Sequence, residues 1–123
     1  ELNLFKDHSF DEPYYRRIIE PSTNSKIKKM LIETVNSKTG TASKARLEGK
    51  IVAGKTGTAR ETLEEITTYT GTFAGFVPSD DPEYLAVIVL HGLSGENYSG
   101  GRVSAPIFSN IMKQIYLLED LKI

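Results

Sequence analysis

Val52-Ala53-Gly54-Lys55-Thr56-Gly57-Thr58-Ala59 is the stretch on which the reading of this chain turns. With Ile51 before it, the stretch starts on β-branched residues and runs into small ones, as a strand does. Two chemistries compete for it. The letters from Gly49 to Thr56 satisfy the phosphate-loop pattern G-x-x-x-x-G-K-[ST]. That loop needs flexible backbone between its glycines so that N–H groups can curl around phosphate. Here the interval is Lys50-Ile51-Val52-Ala53, which favours an extended strand. No strand-like run precedes Gly49, and Leu90 is followed by His91 and Gly92 rather than by an Asp for magnesium. The other reading is a strand carrying K-T-G-T along the lip of a site. Lys55 supplies a fixed positive charge, Thr56 and Thr58 supply hydroxyl donors, and Gly57 lets another backbone approach. Such a set suits a carboxylate beside an acyl group. An ammonium and a carboxylate about 4 Å apart attract by about 4 kcal/mol at an effective dielectric of 20, before desolvation.

The same tetrapeptide occurs earlier, at Lys38-Thr39-Gly40-Thr41. No apolar run flanks it, so it reads as a loop. Before it, Pro21 and Ser22 mark a helix start, and Ile27, Met30, Leu31 and Val35 recur on one helical face. Gly40 is the expected stop. Residues 1–13 read as an irregular lead-in and residues 14–19 as a short strand. Residues 50–58 form the K-T-G-T strand, and residues 59–68 read as a loop or one helical turn. Residues 69–77 form a second strand. The turn-rich Pro78-Ser79-Asp80-Asp81-Pro82 joins it to a third at residues 84–90, apolar on both alternating sets and therefore expected to be covered on both faces. Gly92, Gly95, Gly100 and Gly101 read as a loop, and Ser104 as the cap of a last helix with Pro106 in its first turn. Ile107, Phe108, Ile111, Met112, Ile115 and Leu118 supply that helix's apolar face. The order is helix, three-stranded antiparallel sheet, C-terminal helix, an α+β fold.

The 123 residues suit one domain, and a chain of this size can bury about two-thirds of its surface without disulfide or metal. With 15 basic and 16 acidic residues the net charge is −1, so the chain has no overall electrostatic claim on nucleic acid or anionic membrane. There is no Cys, which excludes a disulfide scaffold, a thiol nucleophile and Cys-ligated zinc. His8 and His91 have no partner at metal-ligand spacing, so no metal or other cofactor is expected. Glu64-Glu65 and Asp80-Asp81 sit among turn residues and read as solvated. The longest apolar run, residues 85–90, is far short of the roughly 20 residues a membrane span needs. Glu1 rather than Met opens the chain, which leads us to expect a processed product or a fragment.

The run Ile51-Val52-Ala53-Gly54-Lys55-Thr56-Gly57-Thr58-Ala59 resembles the third signature of penicillin-binding proteins, the K-T-G strand that accompanies S-x-x-K and S-x-N. The resemblance extends over about residues 13–117. Gly40-Thr41 with Ala45 is similar to the family's G-T-x-x-x-A turn, residues 69–78 to its next strand, and residues 99–112 to its glycine turn and closing helix. The likeness is greatest to class B enzymes, in particular the septal transpeptidase of cell division. It implies a partial penicillin-binding fold, with residues 1–123 as the C-terminal segment of a D,D-transpeptidase domain. The parent would sit on the outer face of the bacterial cytoplasmic membrane. It would cross-link peptidoglycan stem peptides ending in D-Ala-D-Ala by serine acyl transfer, and its partners would be those peptides, β-lactam antibiotics and divisome proteins. Carried over by motif, Lys55 would hold the site's charge, Thr56 and Thr58 would bind the substrate or drug carboxylate, and Gly57 would be the substrate-binding position where the substrate backbone approaches. The N–H of Thr58 is half of the oxyanion hole, a kind of donor whose loss costs about 3 kcal/mol in the transition state.

The other two signatures should lie earlier in the chain. Ser25-Lys26-Ile27-Lys28 fits S-x-x-K and Ser22-Thr23-Asn24 fits S-x-N, but they overlap in the wrong order at a helix start, where such residues cap. The serine nucleophile is therefore expected to be absent and the chain alone inactive. Other parts of the parent domain should complete the sheet, so this piece should expose an apolar face and a sheet edge and be marginal or self-associating. A non-catalytic module that uses the same fold to bind a peptide or partner is the alternative, marked by a parent without the serine. A phosphate-loop nucleotide binder stands behind it.

Overall fold

The computed structural model describes residues 17–121. Within them the order is α1 (Pro21–Asn36), a short 3-10 turn (Ser43–Ala45), β1 (Ala53–Leu63), β2 (Ile66–Val77), β3 (Tyr84–Leu93) and α2 (Gly100–Asp120). The strands form one antiparallel sheet in the order β1-β2-β3. The expected α+β architecture is therefore present. The lead-in at 1–13 and residues 14–16 of the expected first strand lie outside the described residues, and residues 17–20 form no strand.

α1 starts at Pro21, whose missing N–H is harmless in a first turn. Its N-cap is Glu20, without a side-chain cap, so Ser22, Thr23 and Asn24 do not play the capping part expected of them. Ser25 instead donates from its hydroxyl to the Pro21 carbonyl, 2.9 Å away. The helix ends at Asn36 rather than at Gly40. Side chains terminate it. The Asn36 amide donates to Ile32 O and to Val52 O, both at 2.8 Å, and the Arg46 guanidinium donates to Val35 O and Ser37 O. Gly40 serves the next turn, where the chain folds back on the helix. A Cβ there would overlap the Thr34 carbonyl, and Ala42 N–H donates to that same oxygen. Of the expected apolar face only Val35 is buried; Met30 is 67% exposed, because α1 meets the rest of the chain mainly through its last turns.

The segment read as a loop or helical turn is a hairpin. β1 begins later than expected, at Ala53, and runs on to Leu63. The turn is only Glu64 and Glu65, with Glu64 in the left-handed region at φ +46°. β-Branched Thr62, Ile66, Thr67 and Thr68 outweigh the helical look of the charged cluster, and Thr62 and Thr67 share a 3.1 Å hydroxyl contact across the ladder.

Register partners share a face of the sheet. Thr56, Phe73 and Ile88 therefore look one way, with Thr58, Gly71 and Leu90. α2 covers that face. Phe73 and Phe108 meet edge-on at 5.0 Å between ring centres, in a core shared with Val35, Ala42, Ala45, Val52, Val77, Ala105 and Met112. The opposite face carries Lys55, Ala74 and Val87, and the expectation that β3 is covered on both sides fails there. Leu85, Val87 and Val89 are 72%, 59% and 45% exposed, because no described element lies over them.

α2 also starts earlier than expected, with Ser99 as N-cap and Pro106 inside the helix. Gly92 belongs to β3, and Gly100 and Gly101 open the helix, so the expected glycine loop shrinks to a short link. The reason is close packing. A Cβ on Gly100 would overlap the Thr72 and Gly57 carbonyls, and one on Gly101 the Thr41 carbonyl. Ser104 is not the cap. It is buried and donates to Gly71 O at 2.9 Å, pinning the helix to β2. Phe108 and Met112 of the expected face point inward and Ile115 is partly covered, while Ile111 and Leu118 stay 40% and 59% exposed.

Candidate functional site

Lys55, Thr56, Gly57 and Thr58 lie in the buried-to-exposed transition of β1, an edge strand among the described residues. Every second residue of such a strand turns its N–H and C=O away from the sheet. Lys55 and the two threonines alternate across the strand. Lys55 belongs to the open face and donates from Nζ to Thr56 O at 2.9 Å. Thr56 and Thr58 belong to the α2 face. Two clefts follow from this alternation. One, of about 530 Å³, lies between Lys55, the last turns of α1 around Met30 and Thr34, and the loop at Thr39, Gly40 and Thr41. The other, of about 390 Å³, is bounded by Thr41, Thr56, Thr58, Lys44, Ser99 and Arg102. Thr41 borders both.

The second cleft gathers positive potential and hydroxyl donors. Thr58 Oγ1 accepts a hydrogen bond from the Gly100 N–H, 3.3 Å, at the start of α2. That contact ties up a lone pair of the hydroxyl and leaves its proton for a ligand. The positive end of the α2 dipole and the cations Lys44 and Arg102 act in the same direction. Arg102 is steadied by donating from Nη1 to Glu96 O at 3.3 Å. Gly57 also meets a constraint from within the sheet. A Cβ there would meet the Thr72 hydroxyl on the neighbouring strand, so the glycine serves the sheet as well as any incoming chain.

The phosphate-loop reading fails on this geometry. Gly49 turns the chain at φ +72°, beside a Leu47–Lys50 bridge. Lys55 then lies inside β1, which begins at Ala53, and no helix follows it. Ser25 borders neither cleft. His91 is not at the end of β3 but within it, its Nδ1 3.0 Å from Thr70 Oγ1. Glu64-Glu65 and Asp80-Asp81 lie in turns, as expected, and His8 is outside the described residues. Sequence reasoning missed Thr41, Lys44 and Arg102 because only folding brings them to β1. It also missed the stack of Tyr98 on Tyr69, 3.9 Å between ring centres, just before α2.

Comparison with known proteins defines the class. The model of the penicillin binding protein transpeptidase domain matches residues 5–113. The chain therefore belongs to the penicillin-binding protein transpeptidase family. A relative in Buchnera aphidicola, named peptidoglycan D,D-transpeptidase FtsI, is 36% identical over 119 residues, 92% of this chain and 20% of its own. The transpeptidase domain of FtsI4 from Legionella pneumophila superposes with a TM-score of 0.68 at 34% identity, covering 80% of this chain and 37% of that one. The corresponding domain of penicillin-binding protein 3 from Burkholderia pseudomallei gives 0.70 at 29% identity, over 88% and 33%. The chain spans about a fifth of the length of the curated relative. Among the described residues no helix is long and apolar enough to cross a membrane.

Proposed function

We propose that this segment supplies the substrate-binding edge strand of a peptidoglycan D,D-transpeptidase. In that reading residues 1–123 form the C-terminal part of the catalytic domain, and the serine nucleophile lies outside them. The observation that carries the proposal is an edge strand whose Thr58 hydroxyl is held by the first N–H of α2, with Thr56 beside it and Lys55 on the other side of the strand.

The geometry suits acyl transfer from a stem peptide ending in D-Ala-D-Ala. The peptide lies along the free edge of β1 as an added strand. Its terminal carboxylate accepts hydrogen bonds from the Thr56 and Thr58 hydroxyls, with Lys44, Arg102 and the α2 dipole supplying positive potential. Lys55 raises the potential where a serine from the remaining domain attacks, and the Thr58 N–H steadies the oxyanion. A β-lactam, which carries a carboxylate beside a strained amide, uses the same contacts. The exposed Leu85, Val87 and Val89 pack against other parts of the parent domain. The enzyme works on the outer face of the cytoplasmic membrane, in septal synthesis with divisome proteins.

Mass spectrometry after incubation with benzylpenicillin tests this reading. The transpeptidase that carries residues 1–123 is expected to gain the mass of one drug molecule, and the 123-residue chain alone none. An adduct on the chain alone, abolished by Ser25→Ala, would overturn the assignment of the nucleophile. No adduct on the longer protein would leave a peptide- or partner-binding module.

A further inference from the structure

The second K-T-G-T, at residues 38–41, is not absorbed by that account, yet folding delivers its last residue to the site. Thr41 Oγ1 lies 3.1 Å from Thr56 Oγ1, and Thr41 borders the clefts on both sides of β1. We infer that Thr41 is a positioning residue that donates its hydroxyl proton to Thr56, so that Thr56 can donate its own to the carboxylate of a ligand. The inference rests on the carboxylate-binding role proposed above for Thr56.

The argument is one of proton counting. Each hydroxyl has a single proton, and one of the two threonines must be the donor between them. If Thr56 donates to Thr41, its proton is withheld from the cleft. An ionised carboxylate offers only acceptors, so its arrival selects the other arrangement, with Thr41 donating and Thr56 turned to the ligand. A hydroxyl that accepts a hydrogen bond is also a better donor. Thr58 is already arranged in this way by the Gly100 N–H. Thr41 does for one threonine what the helix terminus does for the other.

The loop that carries Thr41 is held for this purpose. Gly40 N–H donates to Ser37 O at 3.2 Å and Ala42 N–H to Thr34 O at 3.1 Å. Ala42 is fully buried, and the Arg46 guanidinium clamps Val35 O and Ser37 O beneath the loop. Gly101 lacks a Cβ at the place where the Thr41 carbonyl comes down on α2. The hydroxyl is thus presented by packed backbone.

The test is the rate constant for acylation by benzylpenicillin in the transpeptidase that carries this segment. Thr56→Val should lower it roughly ten- to a hundredfold, by the usual range for a hydrogen bond to a charged group. Thr41→Val should lower it roughly two- to tenfold, as for one neutral hydrogen bond. Thr41→Ser should restore it, and Thr41→Val should add nothing in the Thr56→Val background. With benzylpenicillin methyl ester, whose uncharged carbonyl accepts a weaker hydrogen bond, the rate should respond less to Thr41→Val. Additive losses, failure of Thr41→Ser to restore the rate, or equal losses with the ester would each overturn the inference and leave a packing role. If Thr56→Val costs and Thr41→Val does not, Thr41 is overturned and the strand's role stands. If Thr56→Val has no effect, the carboxylate reading fails and takes this inference with it.

Discussion

The two K-T-G-T segments share four residues in the same order and have opposite fates. Lys38-Thr39-Gly40-Thr41 follows a helix that its neighbours have just terminated, and its glycine is pressed against the Thr34 carbonyl. Lys55-Thr56-Gly57-Thr58 continues from buried Val52 and Ala53 into an edge strand paired with β2. The first is a turn and the second an edge strand of the described sheet. A tetrapeptide has no conformation of its own; the apolar residues beside it and the elements that later pack on it decide. The pair also cooperate, since the turn brings Thr41 against the strand's Thr56.

Substitutions at equivalent places in the two segments should break this likeness, and the largest effect is at the lysines. In the transpeptidase that carries the segment, Lys55→Ala should slow acylation by benzylpenicillin on the order of a hundredfold, about 2.7 kcal/mol in the barrier. Lys38→Ala should leave the rate within a factor of two. Equal losses at both would mean that the strand has no special claim on substrate.

The glycines should rank the other way in stability. Gly40→Ala places a Cβ into a backbone carbonyl, which cannot move without shifting α1, and should cost about 2 kcal/mol. Gly57→Ala meets only the Thr72 hydroxyl, which can rotate, and should cost about 1 kcal/mol or less. Urea unfolding of both variants checks the order, and a larger loss at Gly57 would reverse the assignment of which glycine the fold needs.

Next in size comes the outer part of the hairpin. Thr62→Ala removes the contact to Thr67 and should cost about 0.5 kcal/mol without altering acylation. A change in rate would extend the site along β1.

The smallest effect lies at the other end of α2, which shows how differently the two ends of one helix are used. Its first residues border the polar cleft, while near its end Tyr116 packs edge-on against Tyr84 under the Lys50 ammonium. Tyr84 donates to Glu119, and Tyr116 to Glu83. Burial, with the hydrogen bond to Glu83 and the nearby carboxylate charges adding, pushes the Tyr116 phenol up to about 12. Above pH 10 the unfolded chain therefore loses this proton while the folded one keeps it, so stability declines between about pH 10 and 12. Tyr116→Phe should flatten that decline in alkaline unfolding curves, and an unchanged slope would count against the shift.

Much of the fold was legible in the residues. The strand at Lys55, the turn at Pro78-Ser79-Asp80-Asp81-Pro82 and the strand after it follow from local apolar runs and turn chemistry. The errors fall where local signals mislead. The cluster after Ala59 looks helical or irregular because it is charged, yet ladder pairing draws it into a hairpin. Ser104 looks like a cap because it is a serine before a proline, yet its hydroxyl is spent on Gly71. Gly100 and Gly101 look like loop glycines, yet they open α2 because carbonyls of β1, β2 and the Thr41 loop leave no space for a side chain. Of the candidate site proposed here, Lys55, Thr56, Gly57 and Thr58 could be named in advance, since one contiguous motif carries them.

By itself the sequence determined the α+β order, the strand character of the K-T-G-T segment and membership in a family, because these depend on neighbours along the chain. Only the tertiary structure decided that β1 is an edge, that Lys55 and the threonines face different clefts, and that Thr41 from the other copy meets Thr56. Those outcomes depend on packing between segments distant in the chain, where the direction of a side chain is set by the register of a sheet and the approach of a helix, and no local pattern records either one.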